Sequence, residues 1–254
     1  MPAEALVRSV RSMPAKEGEQ RVGYPWELPA VRSLASGLEL HPRVTYLIGE
    51  NGSGKSTLLE AVALAAGMNA EGGSSNFAFS TRESHSELWR SLRLVRGTRR
   101  PRTDFFLRAE SLFTAGTYLE QLRADPGAAA GTGNPLASYG GTSLHEQSHG
   151  ESFLAVMINR FGPDGFYLLD EPEAALSTQN CLTCLRRIHE LAEEGSQFII
   201  ATHSPLVLAY PDATILSCEE QGVERVAYED AEPVRLTQSF LEGRQRFLQR
   251  LLSE

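Results

Sequence analysis

A chain of 254 residues with 41% hydrophobic content can bury a substantial core, which excludes disordered and fibrous classes and fits one large α/β domain or such a domain carrying an insert. Its formal charge of −8 disfavours a protein coated in nucleic acid, although it leaves room for a local basic patch. No apolar run approaches the ~20 residues that cross a bilayer and none of signal-peptide length follows Arg8 and Arg11, so the expectation is a cytoplasmic protein without direct membrane insertion.

In chain order, the first clear element is Val44-Thr-Tyr-Leu-Ile48, a β-rich apolar run, and residues 57–66 follow with strong helix formers such as Leu58, Leu59, Glu60 and Ala61. Between them lies Gly49-Glu-Asn-Gly-Ser-Gly-Lys-Ser-Thr57, a complete Gly-x-x-x-x-Gly-Lys-[Ser/Thr] pattern placed between strand and helix, where its physics requires it. Glycines let the loop aim backbone N–H groups at phosphate oxygens, and the helix N-terminus adds positive potential. Asn51, Gly52, Ser53, Gly54, Lys55, Ser56 and Thr57 are therefore the expected nucleotide-binding residues, with Lys55 on the β and γ phosphates of ATP and Ser56 on Mg²⁺.

Residues 82–160 differ in character and are expected to form an inserted, mostly helical subdomain, with helical periodicity over 88–95 and a flexible Pro/Gly/Ala stretch over 125–135. Residues 1–81 and 161–254 then make up the α/β core. The insert carries a basic tract, Arg90, Arg93, Arg96, Arg99, Arg100, Arg102 and Arg108 with Trp89 interleaved, whose first members would share a helical face. Such a tract is a solvated arginine face, a dock for an acidic effector protein, or a salt-sensitive nucleic-acid contact.

A second strand is expected up to Leu169, leading into Asp170 and Glu171. An apolar strand delivers Asp170 to the edge where phosphate and metal sit, making it the metal-side carboxylate beside Ser56, while Glu171 can orient or deprotonate water for attack on the γ-phosphate. A helix over about 179–194 contains Cys181 and Cys184, which lack two further ligands at zinc spacing and are expected to be ordinary helix cysteines. Gln197-Phe-Ile-Ile-Ala201 forms a third strand, and His203 follows it. Short strands are expected over 213–216 and 223–228, then a C-terminal helix over about 236–252 whose apolar stripe is more often core packing than a partner site. Alternating strand and helix imply parallel strands in a layered core.

These motifs together resemble the ATP-binding-cassette superfamily, and within it small stand-alone ATPases related to the SMC/RecF type. Gln147-Ser-His-Gly-Glu151 is similar to that family's Leu-Ser-Gly-Gly-Gln signature: Ser148 and Gly150 match, while His149 and Glu151 depart from it. The resemblance implies a P-loop NTPase with a mixed or parallel sheet and an inserted helical lobe. It also implies a homodimer in which Ser148 and Gly150 of one copy complete the ATP site of the other. His203 matches the switch histidine that contacts the γ-phosphate, so Lys55, Glu171 and His203 form the expected catalytic set. Residues 173–177 match the interface loop, with Ser177 where aspartate is common, and Glu110 stands near the family's lid glutamine. Ser148 and Glu151 equally fit a helix capping box, and Tyr24 or Trp26 is either an adenine-stacking residue or part of a packed turn. The expected activity is Mg²⁺-dependent ATP hydrolysis in DNA maintenance or phage defence; the alternatives are a transporter ATPase subunit and a dimerisation switch with little turnover.

Overall fold

The computed structural model describes residues 4–15, 17–18, 20–69, 73, 86–109 and 149–253. Its strands are β1 (Val7–Ser12), β2 (Leu38–Glu39), β3 (Val44–Ile48), β4 (Leu92–Arg96), β5 (Thr103–Arg108), β6 (Gly165–Asp170), β7 (Gln197–Ala201), β8 (Thr214–Glu219) and β9 (Gly222–Val226). Its helices are α1 (Pro29–Arg32), α2 (Lys55–Ala66), α3 (His149–Arg160), α4 (Thr178–Glu193), α5 (Pro205–Leu208), α6 (Glu232–Glu242) and α7 (Arg244–Leu251).

Six strands form the main sheet in the order β5-β6-β7-β3-β8-β9, parallel throughout except for the antiparallel β8–β9 hairpin. Every residue of β3, β6 and β7 is buried, which explains why these strands read as continuous apolar runs rather than as alternating ones. Their side chains divide by parity between two cores. On one face Tyr46, Ile48, Tyr167, Leu169, Phe198 and Ile200 pack against α3 and α4. On the other, Leu47, Phe166, Leu168, Ile199 and Ala201 pack against α2 and a second, three-stranded antiparallel sheet of order β2-β1-β4. The fold is thus α/β, with a mixed, largely parallel sheet flanked by helices and a segment inserted between α2 and β6.

Gln197 joins the two sheets. It is fully buried at the first position of β7; its Oε1 accepts the Val7 N–H at 2.8 Å, and its Nε2 donates to Val7 O at 2.8 Å and His41 O at 2.9 Å. A leucine there keeps the volume but strands backbone groups of Val7 and His41 without partners. Gln197→Leu is expected to cost about 2–4 kcal/mol in urea unfolding, because each buried unsatisfied group costs ~1–3 kcal/mol. A loss under about 0.5 kcal/mol would show that the amide carries no such role.

Two expectations fail here. Residues 88–95 do not form an α-helix: Ser86 caps a short 3-10 helix, Glu87–Ser91, and the chain then extends into β4, paired with β1 from Ser12↔Leu92 to Val7↔Arg96. Alternation of Leu92, Leu94 and Arg93 serves an edge strand as well as a helix, and tertiary pairing decides between them. The C-terminal helix is broken at Gly243 into α6 and α7, and its stripe is not core: Leu236, Leu241, Leu251 and Leu252 are exposed, while Phe240 and Phe247 meet edge to face at 5.5 Å. Cys181 and Cys184 do face the core from α4, where burial pushes the Cys184 thiol up to about 12. The stretch over 125–135 lies outside the described residues, as do Glu110, Gln147 and Ser148.

Candidate functional site

Parallel strands deliver their C-terminal ends to one edge of the sheet, and the loops leaving β3, β6 and β7 meet there. Residues 49–54 leave β3 with positive φ at Gly49 (138°), Gly52 (83°) and Gly54 (95°). At two of these positions space is short as well: a Cβ on Gly49 would lie 2.6 Å from Cys218 O, and one on Gly54 would lie 2.9 Å from Leu28 Cβ. Gly54 is the N-cap of α2, so no side chain there competes for the first helical N–H groups. They remain available to an anion.

Lys55, 4% exposed, donates from Nζ to Gly49 O at 2.8 Å and Glu50 O at 2.9 Å. Desolvation lowers its pKa; Cys218, Glu171, Asp170 and Glu173 oppose that shift. Ser56 Oγ donates to Asp170 Oδ1 at 2.9 Å, bringing a hydroxyl from α2 and a carboxylate from β6 into one pair. That pair matches the oxygen donors that hold Mg²⁺ beside a polyphosphate. Ser53 Oγ and His203 Nε2 are buried polar atoms without a hydrogen-bond partner. Such orphans are rare in folded proteins, and both lie in loops at this edge. Glycine cradle, ammonium, hydroxyl–carboxylate pair and orphan donors together fit a Mg²⁺-bound nucleotide polyphosphate.

Glu171 sits in the left-handed region, φ 49° and ψ 55°, a conformation that costs a non-glycine residue about 1–3 kcal/mol. Its backbone N–H donates to Ala201 O at 3.0 Å, which ties the end of β6 to the end of β7. The His203 Nε2 atom is 4.0 Å from Glu171 Oε1. A carboxylate and an imidazole so placed can share a water between them.

Some residues escaped the sequence reading or take new places. Arg108, grouped with the basic tract, instead ends β5 in register with Asp170; its Nη1 donates to Glu60 Oε2 at 3.1 Å and its Nε lies 3.3 Å from Asp170 Oδ2. It belongs to the acid pair and not to an outer surface. Arg90 pairs with Glu87, and Arg99 and Arg102 with Asp164. Because β4 is a strand, Arg93 and Arg96, three apart, point to opposite faces and share no helical face.

At the start of α3, a Cβ on Gly150 would lie 3.0 Å from Ala175 O and 3.2 Å from Asn180 Nδ2, so the glycine also seats that helix against the 171–177 loop. Ser177 caps α4, accepting the Asn180 N–H at 3.2 Å. Trp26 packs on the core beneath the Arg21 guanidinium, 4.6 Å from its ring centre, as a packed turn requires, whereas Tyr24 is 71% exposed. Glu173 gave no catalytic signal in the sequence, yet its carboxylate accepts from Thr202 Oγ1 at 2.8 Å, from the His203 N–H, and from the Ser204 N–H at 3.1 Å.

The layered sheet and its loop edge have the architecture of a P-loop NTPase core. The profile of the family described as "AAA domain, putative AbiEii toxin, Type IV TA system" matches residues 44–108 and 138–209, just over half of the chain, and the chain belongs to that family. It is 32% identical over 89 residues, 33% of this chain, to "Chromosome partition protein Smc" of Methanococcus voltae, and the match spans 7% of that protein's length. Among solved structures, "SMC head domain from Thermotoga maritima" aligns at 16% identity and TM-score 0.43, covering 87% of this chain and 98% of that one. "An inward-facing conformation of a putative metal-chelate type ABC transporter" aligns at 16% identity and TM-score 0.47, covering 90% and 84%. No helix of the described residues is long and apolar enough to cross a membrane.

Proposed function

We propose that the chain binds ATP with Mg²⁺ in the 49–57 loop and hydrolyses it, and that it does so as a dimer whose second copy closes the site with its Ser148–Gly150 segment. The observation that carries the reading is the meeting of Lys55, the Ser56–Asp170 pair, Glu171 and His203 at one sheet edge, brought from three separate strand–loop units. Phosphoryl transfer asks mainly for positioning and electrostatic stabilisation, and this set supplies both.

In this reading Asn51, Gly52, Ser53 and Gly54 present backbone N–H groups and the Ser53 hydroxyl to the phosphates. Lys55 exchanges its two loop carbonyls for phosphate oxygens, and Thr57 meets a nearer phosphate. Ser56 and Asp170 would hold Mg²⁺, which would supply positive charge against the phosphates. Glu171 takes the proton of the attacking water. His203 Nε2 donates to the γ-phosphate, satisfying an atom that otherwise lacks a partner. Ser148 and Gly150 of a second copy would add a hydroxyl and helix-start N–H groups, so that closure depends on an intact γ-phosphate.

Steady phosphate release by the purified chain, dependent on both ATP and Mg²⁺ and rising more than linearly with protein concentration, is the expected result. Its absence over a wide concentration range would overturn the reading. Any nucleic-acid or effector contact falls to Arg93, Arg96 and Arg100, since the other members of the tract are paired with carboxylates. This narrows the support for a role in DNA maintenance or phage defence to three arginines, of which Arg93 and Arg96 lie on opposite faces of β4.

A further inference from the structure

Resting on the ATPase reading above, we infer that Glu173 is a positioning residue: it fixes the His203 loop against Glu171 and so couples the 171–177 loop to the switch histidine. The chain leaves β6, turns through Glu171 and enters a short 3-10 turn, Pro172–Ala174, from which the Glu173 side chain reaches the first residues after β7. One carboxylate oxygen accepts the Thr202 hydroxyl; the other accepts the consecutive backbone N–H groups of His203 and Ser204. The Ser204 N–H also reaches Thr202 Oγ1 at 3.0 Å, closing a compact network. Consecutive N–H groups turned to one side make a concave anion site, and here the anion is part of the protein.

The linkage has a geometric consequence. Glu171 and Glu173 lie two residues apart in one turn, while His203 lies on the loop that Glu173 grips, so the carboxylate helps fix the 4.0 Å approach of His203 Nε2 to Glu171 Oε1. Hydrogen bonds to an ionised acceptor are roughly twice as strong as neutral ones, which suits a strut that must hold the loop against phosphate binding and release. The same turn runs on to Ala175, against whose carbonyl Gly150 of α3 is seated. A shift of α3 therefore has a direct mechanical route through residues 173–175 to His203.

Three variants test this. Glu173→Ala removes the acceptor and is expected to lower turnover about 100-fold, the scale of a ~1 Å misplacement, while ATP affinity changes by less than about threefold. Glu173→Gln keeps one oxygen for the two N–H groups and lets the Thr202 hydroxyl reverse its role, so it should restore turnover to within about tenfold of the parent. In a His203→Ala background, Glu173→Ala should cost less than about threefold more, because residues acting as a unit are not additive. Hydrogen exchange without nucleotide supplies a readout independent of turnover: the His203 and Ser204 amides should lose protection in Glu173→Ala and keep it in Glu173→Gln. Unchanged protection in Glu173→Ala, or an additive loss in the His203→Ala background, overturns the inference. Absence of ATP turnover in the parent chain overturns the ATPase reading instead, and the exchange result then still decides whether Glu173 holds the loop.

Discussion

Replacing Glu171 with glutamine is expected to lower ATP turnover by about 10³-fold, within the ~10²–10⁴ range for losing a general base, while ATP binds within about threefold of the parent. The amide keeps the shape of the side chain but cannot take a proton from water. With the γ-phosphate retained, the closed dimer should accumulate, and sedimentation velocity with Mg²⁺ and ATP should show it at protein concentrations where the parent is mostly monomeric. The backbone at this position supplies a second arm. Because φ is 49° at Glu171, Glu171→Gly should relieve strain and raise unfolding stability by about 1 kcal/mol while abolishing turnover. A variant that is more stable yet inactive is what a residue strained for chemistry gives. If Glu171→Gln remains monomeric with ATP and turns over at the parental rate, both the base assignment and the dimer scheme fail.

Lys55→Ala should instead act on binding, weakening ATP affinity about 100-fold or more, since charge-assisted hydrogen bonds are worth ~1.5–3 kcal/mol each. The physical reason is visible before nucleotide arrives. Lys55 is almost wholly buried, its ammonium is desolvated, and its partners are the neutral carbonyls of Gly49 and Glu50. Phosphate oxygens offer such a cation far more than two carbonyls do. Alanine also removes the cation nearest Glu171, Asp170 and Glu173, leaving Arg108 beside Asp170 as the positive charge there, which raises the cost of bringing a polyphosphate to the edge. Equilibrium titration with a fluorescent ATP analogue measures the effect, and an unchanged urea midpoint separates it from unfolding. Parental affinity in Lys55→Ala would place the nucleotide elsewhere.

The two variants separate binding from chemistry, while the Glu173 variants address a side chain that holds a loop of the site and the Gln197 variant one that joins the two sheets. Neither residue of the second pair carried a catalytic signal. Gln197 read as the first residue of a strand and Glu173 as part of an interface loop; each gained its role only when the fold brought a distant backbone segment within hydrogen-bond reach. Arg108 shows the opposite change. Linear proximity grouped it with other arginines, but parallel pairing of β5 with β6 set it beside Asp170.

What the sequence determined by itself was local and stereochemical: the buried parallel strands, whose residues must be apolar on both faces, and the 49–57 loop, whose glycines are required by positive φ and close packing. The placement of Asp170, Glu171 and His203 was also legible, because each lies at or just after the end of an apolar strand. The tertiary structure decided what depends on pairing across long separations. It made residues 92–96 an edge strand instead of a helix, since β1 was there to pair with them. It left the C-terminal stripe exposed, since periodicity marks an apolar face without saying what covers it. It also fixed the His203 loop through Glu173, because a carboxylate finds its donors in space and not along the chain.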